Sequence, residues 1–273
     1  MKQNKRIYFC KLIQLIGCLF LLNVVSVEAV PKVPAHIIEV IFVADGVKSR
    51  VEKIPVYLDQ LWQGEQSSFS GDETDKINSL MAGAVDKPAM VAKAREVLTR
   101  HLTLEDSQTV LAWLESSMGR ALLKVEKDAA SPDYGKEIKA FNAKVMQTPL
   151  TDSRKQVIQQ LQKAMRIDDI ATEILYQMMR LVDMSHQLIN KQSLAGSHDQ
   201  NQYLKYKTSL REVLSRQTLE NMYFTYNTVT DALLNQYLTF ARSDVGKKYY
   251  EVVYKAIATA AQLPMERLIQ RHQ

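Results

Sequence analysis

Apolar residues recur every three or four positions along almost the whole chain, which is the period of a helix that buries one face. The clearest stripe is Ile170, Ile174, Met178, Leu181, Val182, Leu188 and Ile189, enough for an amphipathic helix of about six turns. No run alternates apolar and polar residues between turn residues, as a half-buried strand would. Gly46, Gly64, Gly71, Pro88, Pro132, Gly196 and Pro264 fall between stripes and read as breaks. The pattern predicts helices over 34–45, 47–62, 74–84, 88–101, 104–116, 118–129, 133–146, 153–165, 167–191, 203–227, 230–242, 244–262 and 264–271. The expected fold class is all-α, with many helices.

A longer period lies over the helical one. Trp113, Ser116, Gly119 and Arg120 return as Phe240, Ser243, Gly246 and Lys247 at an offset of 127, and Thr103 and Thr230 each stand ten residues before the aromatic. Closer to the N-terminus the offset is 120, where Ile37, Ile38 and Ile41 match Val157, Ile158 and Leu161. A fixed offset of this kind predicts a tandem duplication: a first helical unit over 30–148 and a second over 149–273, free to pack as one domain or two. The seven residues gained by the second unit fall in a polar stretch, 192–202 against 64–73, where an insertion costs little. Thr151 or Asp152 would cap the helix that follows the junction.

Local chemistry accounts for each residue of the repeated motif. Thr103 and Thr230 can cap a helix start, and Asp106 three residues after Thr103 completes a capping-box pattern. Ser116 and Ser243 can cap the next helix, while a glycine three residues later admits a closely approaching neighbour. The aromatic fills the inside of the corner. A functional alternative makes Ser243, Lys247 and Lys248 an anion site at a helix N-terminus, although a glycine-rich phosphate loop is missing.

This arrangement of threonine, aromatic, serine, glycine and basic residue resembles the hallmark of domain of unknown function 2059, a family of exported proteins of Gram-negative bacteria. The chain departs from the usual form, with Ser117 and Asp244 where proline is common and Leu114 and Ala241 where tyrosine follows the aromatic. The resemblance covers about 25 residues of each unit. It implies an all-helical periplasmic protein and supplies no activity.

The first 29 residues read as an export signal. Lys2, Lys5, Arg6 and Lys11 precede an apolar run, and Val27, Glu28 and Ala29 form a small-residue cleavage site. Cleavage between Ala29 and Val30 would leave a periplasmic chain with no stable transmembrane span. An uncleaved inner-membrane anchor is the rival reading, but only 16 residues separate Lys11 from Glu28, and a spanning helix needs about 20. A lipoprotein cut at Cys18 is the other alternative. It would leave the apolar residues 19–27 on the mature protein, whereas a lipid anchor ordinarily leads into a polar tether.

Cleavage also changes what composition allows. Both cysteines, Cys10 and Cys18, leave with the signal, which removes thiol catalysis and thiolate metal sites. Losing four basic residues and Glu28 lowers the formal net charge from +5 to +2, so charge makes no case for nucleic acid.

Catalytic motifs are not apparent. His36, His101, His186, His198 and His272 include no pair at zinc-signature spacing. Glu105 and Asp183 each stand one turn from a histidine, short of the three protein ligands that a catalytic zinc needs. Ser197, His198 and Asp199 are adjacent and cannot form a triad among themselves. Asp168, Asp169, Asp72, Glu73 and Asp75 fit helix starts. No catalytic residue, metal or cofactor is therefore expected.

Binding is the stronger expectation. The second half is rich in methionine and tyrosine, most of which fit a helical core, while Met178, Tyr223, Tyr226, Tyr250 and Tyr254 are candidates for a groove that takes an apolar ligand or partner helix. The expected role is a periplasmic interaction protein that engages an envelope protein or lipid. Two alternatives remain open: an envelope hydrolase whose carboxylates come from distant positions, and an oligomeric scaffold.

Overall fold

Most predicted stripes become buried helix faces, although the helix over 134–147 shows no buried residue among those described. The computed structural model describes residues 33–129, 134–147, 149–190 and 200–272. Among them are twelve α-helices, one 3-10 turn at Gln66–Ser68 and no strand. The first seven are α1 (Ala35–Ala44), α2 (Val47–Glu65), α3 (Gly71–Ala84), α4 (Lys87–His101), α5 (Leu104–Glu115), α6 (Ser117–Ala129) and α7 (Tyr134–Gln147). The remaining five are α8 (Asp152–Ala164), α9 (Ile167–Ile189), α10 (Gln200–Thr225), α11 (Asp231–Arg242) and α12 (Asp244–Gln270). The expected export signal, both cysteines and residues 192–199 of the polar stretch lie outside the described residues.

Most boundaries follow from local capping. Ser70 opens α3 with a full capping box to Glu73, which starts the helix three residues earlier than the apolar pattern implies. Pro88 lies in the first turn of α4, where its missing N–H costs nothing. Thr151, rather than Asp152, caps α8.

Pro264 does not break the last helix. Helix α12 runs through it to Gln270. The proline removes one backbone bond, but its ring is buried beside Ile54, Leu58 and Met178 from α2 and α9. Tertiary packing holds the helix where local preference would end it.

Helix α12 is the centre of the fold. It packs against α2, α3, α4 and α5 as well as α9 and α11, and its buried residues include Tyr249, Tyr250, Val253, Ala256, Ile257, Ala260 and Leu268 on several faces. Its exposed charged residues, Asp244, Lys247, Lys248, Glu251 and Lys255, fall on one stripe of its N-terminal half. Residues from Val33 onward therefore form one compact unit in which both predicted halves share a core.

Candidate functional site

The repeated motif builds two nearly identical corners. Thr103 accepts from the Asp106 N–H and Thr230 from the Leu233 N–H. At the corner itself Ser116 and Ser243 have φ, ψ of −63°, 159° and −61°, 161°. Each serine Oγ donates to the carbonyl of the aromatic, at 2.6 Å to Trp113 and 2.7 Å to Phe240, and accepts from the glycine N–H at 3.0 Å. A Cβ on Gly119 would lie 2.1 Å from the Trp113 carbonyl oxygen, and one on Gly246 would lie 2.0 Å from that of Phe240. Glycine is thus required by close approach of the helix's own corner.

The two corners also meet. The rings of Trp113 and Phe240 stack with centroids 4.6 Å apart and planes 9° from parallel, so each aromatic fills the other corner as well as its own. Lys248 pairs with Asp106, the capping carboxylate at the start of α5, and Lys247 lies 3.7 Å from Asp244. The basic residues of the possible anion site thus already face carboxylates. Arg120 is exposed and donates to the Glu115 carbonyl.

Between these corners lies a buried polar cluster that local motifs do not disclose. Asp45, in the turn between α1 and α2, is only 4 % exposed. Its Oδ2 is 3.9 Å from Arg50 Nη1, and Arg50 also donates to its backbone oxygen. Glu126 on α6 accepts through Oε1 from the Tyr226 hydroxyl at 2.7 Å and the Tyr237 hydroxyl at 3.2 Å. Tyr250 donates in turn to Tyr237. Asp45 Oδ2 and the Tyr249 hydroxyl interact electrostatically, but neither completes a hydrogen bond of normal geometry.

Burial controls the protonation of this cluster. It pushes the Asp45 carboxyl up to about 6, against the opposing pull of Arg50. Burial also drives the hydroxyls of Tyr226, Tyr237, Tyr249 and Tyr250 well above their usual range, with Glu126 or Asp45 adding to the effect. Tyr226, Tyr237 and Tyr250 keep their protons and donate hydrogen bonds within the cluster. Two carboxylates, an arginine and tyrosines could in principle support acid–base chemistry. All four rings, however, are almost fully buried.

Access exists elsewhere, in a cleft of about 200 Å³ between the C-terminal end of α2 and α9. Leu61, Phe69, Met179 and Val182 supply apolar walls, and Glu65, Asp183 and His186 the polar edge. The Phe69 ring meets the His186 ring edge-on at 5.1 Å and packs on the buried Trp62 at 5.2 Å. Trp62 is held by its indole N–H, which donates to Asn78 at 2.6 Å. The Asn190 amide lies 2.9 Å from His186 Nε2 and steadies the imidazole.

The five expected groove residues are not gathered into one groove. Tyr226 and Tyr250 join the buried cluster, whereas Met178 is a core residue. Tyr254 lies under the Arg166 guanidinium, 3.9 Å from its ring centre, and Tyr223 is half-buried beside Gln159. Side chains three or four residues apart share a helix face, but α10 and α12 turn those faces to different neighbours. The cleft draws instead on Phe69, the one large apolar residue in the polar stretch 64–73. That isolated aromatic was the available signal.

Among the described residues no three His, Cys, Asp or Glu side chains are placed to hold a metal ion, and no helix is long and apolar enough to cross a membrane. No family model, curated protein or solved structure matches the chain.

Proposed function

We propose that this chain is an exported binding protein of the cell envelope, of the domain of unknown function 2059 type, which takes an apolar group into the cleft between α2 and α9. The carrying observation is the cleft: four apolar side chains at an opening edged by three polar ones, the usual composition of a small-ligand site. The basic and apolar leader supports export, and the paired motifs support descent of the two units from one.

Protein isolated from its native envelope tests both parts by mass spectrometry. The expected mass starts at Val30, with a small molecule retained by the wild type and lost from Leu61→Trp, which fills the cleft. A full-length mass would refute cleavage. Absence of any retained molecule, with no ligand-induced change at Phe69, would refute the binding role.

A second reading, an envelope hydrolase, draws support from Asp45 and Glu126, two carboxylates from distant positions that both act on the same tyrosines. It requires a reachable Asp45. Modification of Asp45 by a water-soluble carbodiimide in the folded protein would favour it, and protection of Asp45 would sink it.

A further inference from the structure

We propose that the groove between α2 and α3 is a second binding site, which takes a secondary amide flanked by apolar groups. It stands apart from the α2–α9 cleft and does not depend on it.

Spacing builds the groove. Pro55, Leu58 and Asp59 fall within about one turn of α2, and Asn78, Met81 and Val85 follow one stripe of α3 up to its C-cap, so each set shares a helix face. Together they line a space of about 410 Å³, within the roughly 300–1,000 Å³ of small-molecule pockets. That is about twice the volume of the α2–α9 cleft. Leu58 and Met81 are buried and supply the apolar floor, whereas Asp59 on α2 and Asn78 on α3 are exposed at the rim.

One hydrogen bond decides what the rim can offer. The Trp62 indole N–H donates to Asn78 Oδ1 at 2.6 Å. An indole nitrogen only donates, so this bond assigns the oxygen end of the Asn78 amide and leaves its Nδ2 hydrogens as the donors on offer. Among the described residues nothing accepts from that nitrogen, and no side chain donates to the Asp59 carboxylate. One wall of the groove thus presents a donor and the other an acceptor.

That pairing matches one functional group. A trans secondary amide is planar and carries its C=O and N–H on opposite edges. Lying across the groove, it gives its oxygen to Asn78 on α3 and its hydrogen to Asp59 on α2. Leu58, Met81 and Val85 then cover the apolar groups on either side. An ester of the same shape can satisfy Asn78 alone.

The test compares N-propylbutyramide with propyl butyrate, in which an ester oxygen replaces the N–H. Affinities come from titrating the backbone amide shifts of Met81 and Val85. The amide should bind about tenfold more tightly than the ester, because a donor bonded to a charged acceptor is worth about 1.5 kcal/mol or more. Asp59→Ala should abolish this preference and keep the ester's affinity. Asn78→Asp keeps an acceptor for Trp62 and removes the donor, so it should weaken both ligands by about fivefold; circular dichroism checks the fold of each variant. Equal affinity for amide and ester in the wild type, a preference that survives Asp59→Ala, or binding untouched by Asn78→Asp would overturn the amide as occupant. Shifts at Phe69 and Val182 in place of Met81 and Val85 would move the ligand to the α2–α9 cleft and overturn the groove. No shift with either compound would overturn it as well.

Discussion

The joint between α1 and α2 and the joint between α8 and α9 have the same backbone and opposite chemistry. Both turn through a left-handed residue, Gly46 at φ 72° and Arg166 at φ 56°, and both close the preceding helix with N–H bonds to matching carbonyls, those of Ile41 and Val43 in one and Leu161 and Lys163 in the other. At the first joint a charged pair, Asp45 and Arg50, faces inward to the tyrosines. At the second the neighbouring residue is the buried Met165, and the charge has moved outward. Arg166 pairs there with Asp169 and Glu251 and lies over Tyr254. Joints of like backbone thus carry a buried charged pair in one case and an outward ionic cluster in the other.

The largest expected effect tests the likeness of the halves. Gly119→Ala and Gly246→Ala should each cost about 3 kcal/mol or more, because the new methyl meets backbone that cannot step aside. Urea midpoints for the two should be similar. A mild loss at either glycine would mean that the corners are not equivalent.

Next comes the difference. Asp45 has its folded carboxyl raised to about 6 from 3.8, so the native state binds a proton that the unfolded chain has released. Its contribution is greatest below the unfolded value and falls away as pH rises toward 6, by about 3 kcal/mol in all. Comparing wild type with Asp45→Asn should expose this slope between roughly pH 4 and 6. Parallel stability curves over that window would show that the first joint is electrostatically silent.

The smallest effect concerns the joints themselves. Gly46 has open space around it, so Gly46→Ala should cost only the backbone penalty of about 1 kcal/mol. Arg166 already bears that penalty as the one non-glycine residue with positive φ among those described. Arg166→Gly should therefore be more stable than Arg166→Ala by about 1 kcal/mol, as read from paired thermal or urea unfolding. Equal stability would mean that the αL geometry at Arg166 carries no strain.

Legibility in the sequence followed the range of each interaction. The capping roles of Thr103, Thr230, Ser116 and Ser243 are readable because each hydroxyl bonds a backbone N–H three residues on, a local event. The contact between Trp113 and Phe240 joins positions 127 apart, and its partner choice is decided only when the corners meet. Asp45 beside Gly46 reads as an ordinary turn, and nothing local says that the turn faces inward. Glu126 was closer to view: it lies one turn after Leu122 on α6, on the helix's buried side. The cleft was hidden for a different reason, since Phe69 is surrounded by loop residues and carries no period of its own.

The position of α12 bears on how such a chain can be made. Helix α4 has its broadest contact with α12, yet α5 to α11 all intervene in the chain. The earlier half emerges first with apolar faces that have no permanent cover, and it cannot close until the last long helix arrives. Such distant pairing slows folding and prolongs exposure of sticky surface. The chain should thus stay open and dependent on protection during synthesis until the final helix locks the whole.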